Sequence, residues 1–291
     1  MARTVGIANN KGGVGKSQVT VHLADALARA GNTVLVVDLD PQANATRRLG
    51  VTIDPAQPIP TMSEVLKSGE RGVGEGAVVP CGWVDGTGAP LPSAENIDLL
   101  PARFDLINRE SESGQVGAVR RLKKSLDGWA EDYDVVLIDT PPNLGHLTQM
   151  AMAAADAILI PTDPAYDSAE AAIRVRDFAT VHAEDLGNPG LYVAGVIITR
   201  YRKTLEAEEQ IKGLSENFGD LLWNPGKVAR TSKGEEILVP RWIPERIRYG
   251  EADSAATSLT AWNDFDSREA AAVYDSLATI FQARINGGGA S

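Results

Sequence analysis

Residues 11–17 read KGGVGKS, Lys11-Gly12-Gly13-Val14-Gly15-Lys16-Ser17, and the rest of the chain is understood outward from them. Before them TVGIAN has the short apolar character of a buried strand; after them QVTVHLADALARA carries the 3.6-residue spacing of a helix. Strand, glycine-rich turn and helix is the setting in which such a loop cradles phosphate. Backbone N–H groups freed by glycine approach phosphate oxygens, and the helix start adds its positive end. Lys16 then reaches the outer phosphates and the Ser17 hydroxyl ligates Mg²⁺. A nucleotide site is the first expectation.

The second comes from acids at strand ends. VLVVDLD (34–40) reads as a strand closed by Asp40, and DYDVVLIDTPP (132–142) as a strand closed by Asp139. In a parallel α/β sheet the carboxyl ends of the strands form the crevice that also holds the phosphate loop. Asp139 is expected to serve Mg²⁺ directly or through water, and Asp40 to orient or activate the hydrolytic water while lying near the metal. Asp38, on the same pleat side as Asp40 if the strand extends that far, either joins them or hydrogen-bonds the loop.

The 291 residues suffice for a substantial core, and the formal charge of −11 argues against a uniformly basic, nucleic-acid-coating surface. A lone cysteine, Cys81, excludes a disulfide framework within the chain and a cysteine-rich metal site, and suits a cytoplasmic location. No apolar run approaches the ~20 residues needed to span a bilayer, and no signal peptide or amphipathic anchor is evident.

Further apolar strands are expected at NIDLLPA (96–102), AILIP (157–161) and LYVAGVIITRY (191–201). Helices are expected at 64–67, 115–131 (with Val116, Val119, Leu122 and Leu126 on one side), 146–155, 169–184, 204–217 and 267–285. Strands alternating with helices predict a three-layer α/β/α fold around a mostly parallel sheet, a P-loop NTPase architecture. One domain is expected over residues 1–285, with irregular insertions near 69–95 and 226–240 and a flexible tail at 286–291. Trp83 is expected to pack the first insertion down.

KGGVGKS, VVDLDPQANAT, DYDVVLIDTPPNLG and AILIPTDP together resemble the ParA family of partition ATPases, a branch of the deviant-Walker P-loop ATPases that includes MinD. The resemblance spans most of residues 1–180 and resumes at GVIITRY and IPERIRYGEA. It implies ATP and Mg²⁺ as cofactors, slow turnover stimulated by a partner, and an ATP-bound homodimer. It makes Lys11 the signature lysine that reaches the partner subunit's phosphates, and it assigns Lys16, Ser17, Gln18 and Asp40 to nucleotide binding and hydrolysis. Asp139 heads the second switch, and Thr199, Arg200, Pro244 and Glu245 fall in segments near the adenine. Ser17 stands where the family more often has threonine, which preserves a hydroxyl ligand.

The resemblance further implies non-specific binding to double-stranded DNA, a nucleoid location and a centromere-binding, ParB-like adaptor. Residues 200–250 hold ten Lys or Arg against eight acids, an excess of +2 where the remainder totals −13. Candidate phosphate contacts are Arg200, Arg202, Lys203, Lys227, Arg230, Lys233, Arg241, Arg246 and Arg248. The chain begins at the first strand, so an operator-reading N-terminal domain is not expected. A MinD-like membrane ATPase is disfavoured by the missing anchor, and an iron–sulfur relative by the lone cysteine. Positioning of a non-DNA cargo stays open, as does a second substrate pocket formed by 69–95.

Overall fold

The computed structural model describes residues 2–54, 56–230, 236–262 and 264–286. Its main sheet has eight strands: β1 (Arg3–Ile7), β2 (Val34–Asp38), β3 (Val79–Pro80), β4 (Ile97–Leu100), β5 (Val135–Asp139), β6 (Ala157–Thr162), β7 (Tyr192–Ile198) and β8 (Leu222–Trp223). Their spatial order is β3-β4-β2-β5-β1-β6-β7-β8, and every pairing is parallel except that of β3 with β4.

The uniform apolarity of the strands follows from burial on both faces. Along β5, Val135 and Leu137 join one core with helices α1 (Lys16–Arg29) and α9 (Phe265–Phe281). The alternate residues Val136 and Ile138 join a second core with α3 (Met62–Ser68), α4 (Arg121–Leu126), α5 (His146–Ala154), α6 (Tyr166–His182) and α7 (Leu205–Phe218). Each such side chain taken fully from water contributes about 1.5–3 kcal/mol. Two short helices, α2 (Asn44–Arg48) and α8 (Ile247–Ala255), pack beside the first core through Ala45, Tyr249 and Ala252. The result is a three-layer α/β/α arrangement around a mostly parallel sheet.

Several local expectations are corrected. β2 ends at Asp38, so Asp40 lies in the turn beyond the strand rather than closing it. The span 115–131 is not one helix: Gly117 (φ 75°) and Gly128 (φ 90°) are left-handed, only Arg121–Leu126 is α-helical, and Val116 is fully exposed. The insertion at 69–95 contains a 3₁₀ turn (Val73–Ala77), β3 and a tight reversal bridged between Val84 and Pro90. Trp83 does hold it down, being fully buried with its indole N–H donating to the Arg48 carbonyl at 2.7 Å. The insertion at 226–240 carries an antiparallel pair, β9 (Lys227–Arg230) with β10 (Glu236–Val239). Beyond α9 a π-helical turn runs Gln282–Asn286, and the rest of the expected tail lies outside the described residues. No described helix is long and apolar enough to cross a membrane.

Candidate nucleotide site

The parallel register sets Ile7 of β1 and Asp38 of β2 level with Asp139 of β5, so the loop after β1 opens beside both acids. Asn9 anchors the loop's start: its side-chain amide donates to the Pro161 carbonyl at 2.8 Å, and its Oδ1 accepts from Lys11 N–H at 3.0 Å. Gly13 (φ 80°) and Gly15 (φ 81°) then adopt left-handed backbone that an L side chain rarely tolerates. Gly15 precedes α1 and no side chain caps that helix, so its first N–H groups are left for an anion. From behind, Thr199 Oγ1 donates to the Val14 carbonyl and Arg200 Nη1 to the Gly13 carbonyl, each at 2.8 Å.

Lys16 is almost wholly buried, and its ammonium donates to the Lys11 carbonyl at 3.2 Å. Burial pulls its pKa down, while the charges of Asp139 and Asp40 act to keep the proton on. Lys11 differs. Its backbone is tied to Asn9 and Lys16, but among the described residues its half-buried ammonium has no hydrogen-bond or ion-pair partner.

Asp139 is fully buried; its Oδ1 accepts from Thr20 Oγ1 at 3.2 Å and its Oδ2 has no hydrogen-bond partner among the described residues. Burial raises its carboxyl pKa, opposed by the nearby Ser17 hydroxyl and the charge of Lys16. Asp38 is also raised, by burial and then by the charge of Asp139. It spends both oxygens on the segment that follows, Oδ2 accepting from Thr46 N–H (2.8 Å) and Thr46 Oγ1 (2.7 Å) and Oδ1 from Asp40 N–H (3.1 Å). These bonds run to the turn at Asp40 and to Thr46 of the helix that follows (Asn44–Arg48). Asp40 accepts from Gln42 N–H at 2.9 Å, and burial raises its carboxyl against that bond and the Lys16 charge. An orphaned carboxylate oxygen on Asp139 beside the Ser17 hydroxyl, in a pocket where burial penalises negative charge, suits a divalent cation. Ser17 and Asp139, with Asp40 nearby, are the residues that would hold Mg²⁺.

A cavity of about 430 Å³ opens over the loop. Gly12, Gly13, Gly15, Lys16, Ser17, Gln18, Asp40, Arg200, Pro244 and Glu245 line it, as the sequence reading places them at the nucleotide. Val14 and Thr199 are fully buried behind the loop, so Thr199 supports the site rather than facing a base. Lys11 lies outside the lining. Residues not singled out in the sequence complete the wall, Gln42, Asn44, Arg48, Pro142, Tyr249, Gly250 and Asp253, together with Arg246, which was expected to contact DNA. Gln42 and Asn44 could have been flagged, since they follow Asp40 directly in DLDPQAN; nothing in the sequence pointed to Asp253.

The basic candidates do not form one free patch. Arg200 and Arg202 both clamp Glu245, and their hydrogen bonds outweigh burial to hold that carboxyl below its ordinary range. Arg246 pairs with Glu269 at 2.6 Å, and Arg248 with Glu251 (2.8 Å) and Asp264 (2.9 Å) while lying over Trp262. Arg241 stacks on Trp242. Lys203 and Lys227 are exposed, Arg230 belongs to β9, and Lys233 lies outside the described residues.

Comparison with known proteins agrees with this geometry. Residues 2–182 match the family described as AAA domain. The chain is 34% identical over 260 residues to the chromosome-partitioning ATPase Soj of Thermus thermophilus, covering 88% of this chain and 87% of that one. It is 36% identical over 257 residues to the chromosome partitioning protein ParA of Caulobacter vibrioides, covering 87% and 84% respectively. Apo McdA of Cyanothece shares the fold, with a TM-score of 0.73, 24% identity, and 95% of this chain and 100% of that one covered. The glycine loop carrying both lysines, the two acids at the strand ends and these relatives lead to one assignment: the chain belongs to the ParA/MinD superfamily of partition ATPases with a deviant Walker A loop.

Proposed function

We propose that the protein is an ATPase that dimerises on ATP, binds DNA without sequence preference in that state, and drives the partition of plasmid or chromosomal DNA with an adaptor that stimulates hydrolysis. The family supports an ATP-driven partition activity, and its P-loop fold supports binding of ATP and Mg²⁺. The observation that carries the rest is the contrast between the two lysines of the loop. Lys16 faces Asp139 and Asp40 within its own chain, whereas the Lys11 ammonium has no partner among the described residues. In this reading Lys11 finds its anion in the phosphates held by a second copy, so each site is complete only in the dimer.

The chemistry assigned to the chain's own groups is positioning and charge stabilisation. The loop N–H groups and Lys16 hold the β- and γ-phosphate oxygens. Ser17 and Asp139 hold Mg²⁺, which when bound offsets charge on the phosphate oxygens as the bond breaks. Asp40, in the turn after β2, orients the attacking water and takes up its proton. Lys11 of one copy steadies the charge developing on the other's nucleotide, so hydrolysis also weakens the contact that ATP created. Turnover is slow until the adaptor acts.

DNA attraction is assigned to Lys203 and Lys227, with Arg230, Lys233 and Arg241 elsewhere in the same stretch of sequence. The internal pairing of Arg246 and Arg248 favours one rival, the positioning of a cargo other than DNA by the same ATP cycle. Size-exclusion chromatography and a DNA mobility-shift assay in the apo, ADP and ATP states separate them. ATP-dependent dimers that shift DNA support partition; dimers that ignore DNA support the other cargo; monomers in every state overturn both.

A further inference from the structure

Across the cavity from the loop, α2 and α8 are joined by a charged contact. Arg48 Nη2 lies 3.0 Å from Asp253 Oδ2, and both residues line the cavity. α2 is the helix into which the Asp40 turn runs, and it is a poor helix by itself. It has five residues and no side-chain cap, and it starts from Ala43 at φ 51°, a left-handed conformation unfavourable for alanine. Some of its tethers are internal to the segment: Asp38 accepts from Thr46, and Arg47 donates to the Gln42 carbonyl and Asn44 Oδ1. The Arg48 guanidinium reaches outward, to the helix that supplies Tyr249, Gly250 and Asp253 to the opposite wall.

Beneath this contact lies a buried polar cluster joining four helices. His22 of α1 is packed against the rings of Tyr249 (5.8 Å) and Tyr274 (5.1 Å), and its Nε2 stands 3.6 Å from Asp253 Oδ1, beyond hydrogen-bond reach. Burial, and then repulsion by Arg48 and Arg29, pushes the imidazole down to about 3, so it is neutral. Tyr274 OH accepts from Gln18 Nε2 at 3.0 Å, which brings the cluster to the residue following Ser17. The groups facing Asp253 are therefore neutral His22, Tyr249, Tyr274 and the cation Arg48, leaving Arg48 as the charge that balances the carboxylate.

We propose that the Arg48–Asp253 ion pair is a latch across the nucleotide cavity. It holds α8, the far wall, in fixed relation to the turn that carries Asp40, and Arg48 is thereby a positioning residue for nucleotide binding and turnover. This rests on the reading of the cavity as the ATP site. A largely buried ion pair adds little to stability by itself, because the loss of hydration offsets its attraction, but removing one partner strands the other charge away from water. The wall and the Asp40 turn then lose their common reference while the rest of the fold persists.

The test measures affinity for a fluorescent ATP analogue with Mg²⁺, together with steady-state ATP turnover. The wild type is compared with Arg48→Ala, Arg48→Lys, Asp253→Asn and Asp40→Ala. Arg48→Ala and Asp253→Asn are expected to weaken nucleotide affinity about tenfold and to lower turnover, with ellipticity and cooperative melting retained. Arg48→Lys, which keeps a charge able to make a single contact, is expected to stay within about twofold. Affinity within twofold of wild type for Arg48→Ala and Asp253→Asn overturns the latch, as does Arg48→Lys failing as badly as Arg48→Ala. Should Arg48→Ala not fold, the near-isosteric Asp253→Asn decides. Undiminished turnover in Asp40→Ala would instead refute the role given to Asp40, and the latch would still be judged on nucleotide affinity.

Discussion

The phosphate-loop end of the cavity and the basic stretch at 200–250 are both rich in charge, yet they are built in opposite ways. At the loop, charges are buried short of partners: Asp139 has a free Oδ2, Lys16 leans on a backbone carbonyl, and α1 starts without a cap. In the basic stretch most arginines are already neutralised within the chain: Arg200 and Arg202 on Glu245, Arg246 on Glu269, Arg248 on Glu251 and Asp264. The first region gains free energy when a phosphate and a cation arrive. The second has spent most of its charge on holding α8 and the cavity wall, so a polyanion would be met by a few exposed lysines. A count of basic residues therefore overstates the DNA surface, and a count of acids understates the affinity of the loop for a nucleotide.

The largest effect tests the loop side of that contrast. Lys16→Ala is expected to abolish measurable nucleotide binding and to reduce turnover by about 10²–10³-fold, read by isothermal titration and phosphate release. Next, Asp40→Ala should lower turnover by about 10²-fold or more while ATP-dependent dimerisation is kept, since the group acts on water and not on phosphate. Loss of both would make Asp40 architectural.

Smaller effects probe the basic side. Lys203→Glu is expected to weaken DNA binding across all sequences and to reduce the salt slope by roughly 1, one phosphate contact's share. Arg248→Ala should leave the slope unchanged and cost stability instead, seen as a lower melting temperature, because Glu251 and Asp264 lose their shared partner. The reverse pattern would mean that the arginines open out on DNA.

The smallest effect is one of pH, at the latch between the two regions. Burial pushes the Asp253 carboxyl up to about 6 against the opposing charge of Arg48. The ionised form grips Arg48, so nucleotide affinity attributable to the latch is present above that value and is lost as pH falls through it. The sign for folding is opposite. Because the folded-state pKa lies above the ordinary 3.8, the buried carboxylate costs stability at neutral pH, and that cost is relieved on protonation as pH falls through about 6. Asp253→Asn should flatten the affinity profile relative to wild type.

The same two regions show what was legible in the sequence. β1, β2, β5, β6 and β7 announce themselves because they are buried on both faces, and KGGVGKS because only glycine suits φ near 80° at Gly13 and Gly15. Short elements do not: α2 has five residues, β8 two, and neither is long enough to repeat its pattern. The 115–131 span had helical spacing, but Gly117 and Gly128 in left-handed backbone outweighed it and left Val116 in water. Asp253 and Tyr249 enter the site through the packing of α8 beside α2, about 200 residues away in sequence, and no local motif encodes that contact. Which arginines are free is likewise a property of tertiary pairing.

Lys11 has no partner among the described residues of its own chain, and the proposed reason is that its partner is a nucleotide held by another copy. Light scattering coupled to size-exclusion chromatography, with ATP and Mg²⁺, measures this on wild type and Lys11→Ala, alongside nucleotide affinity of each. Wild type is expected to form an ATP-dependent dimer, and Lys11→Ala to stay a monomer that still binds ATP. A Lys11→Ala protein that dimerises on ATP as the wild type does would contradict it.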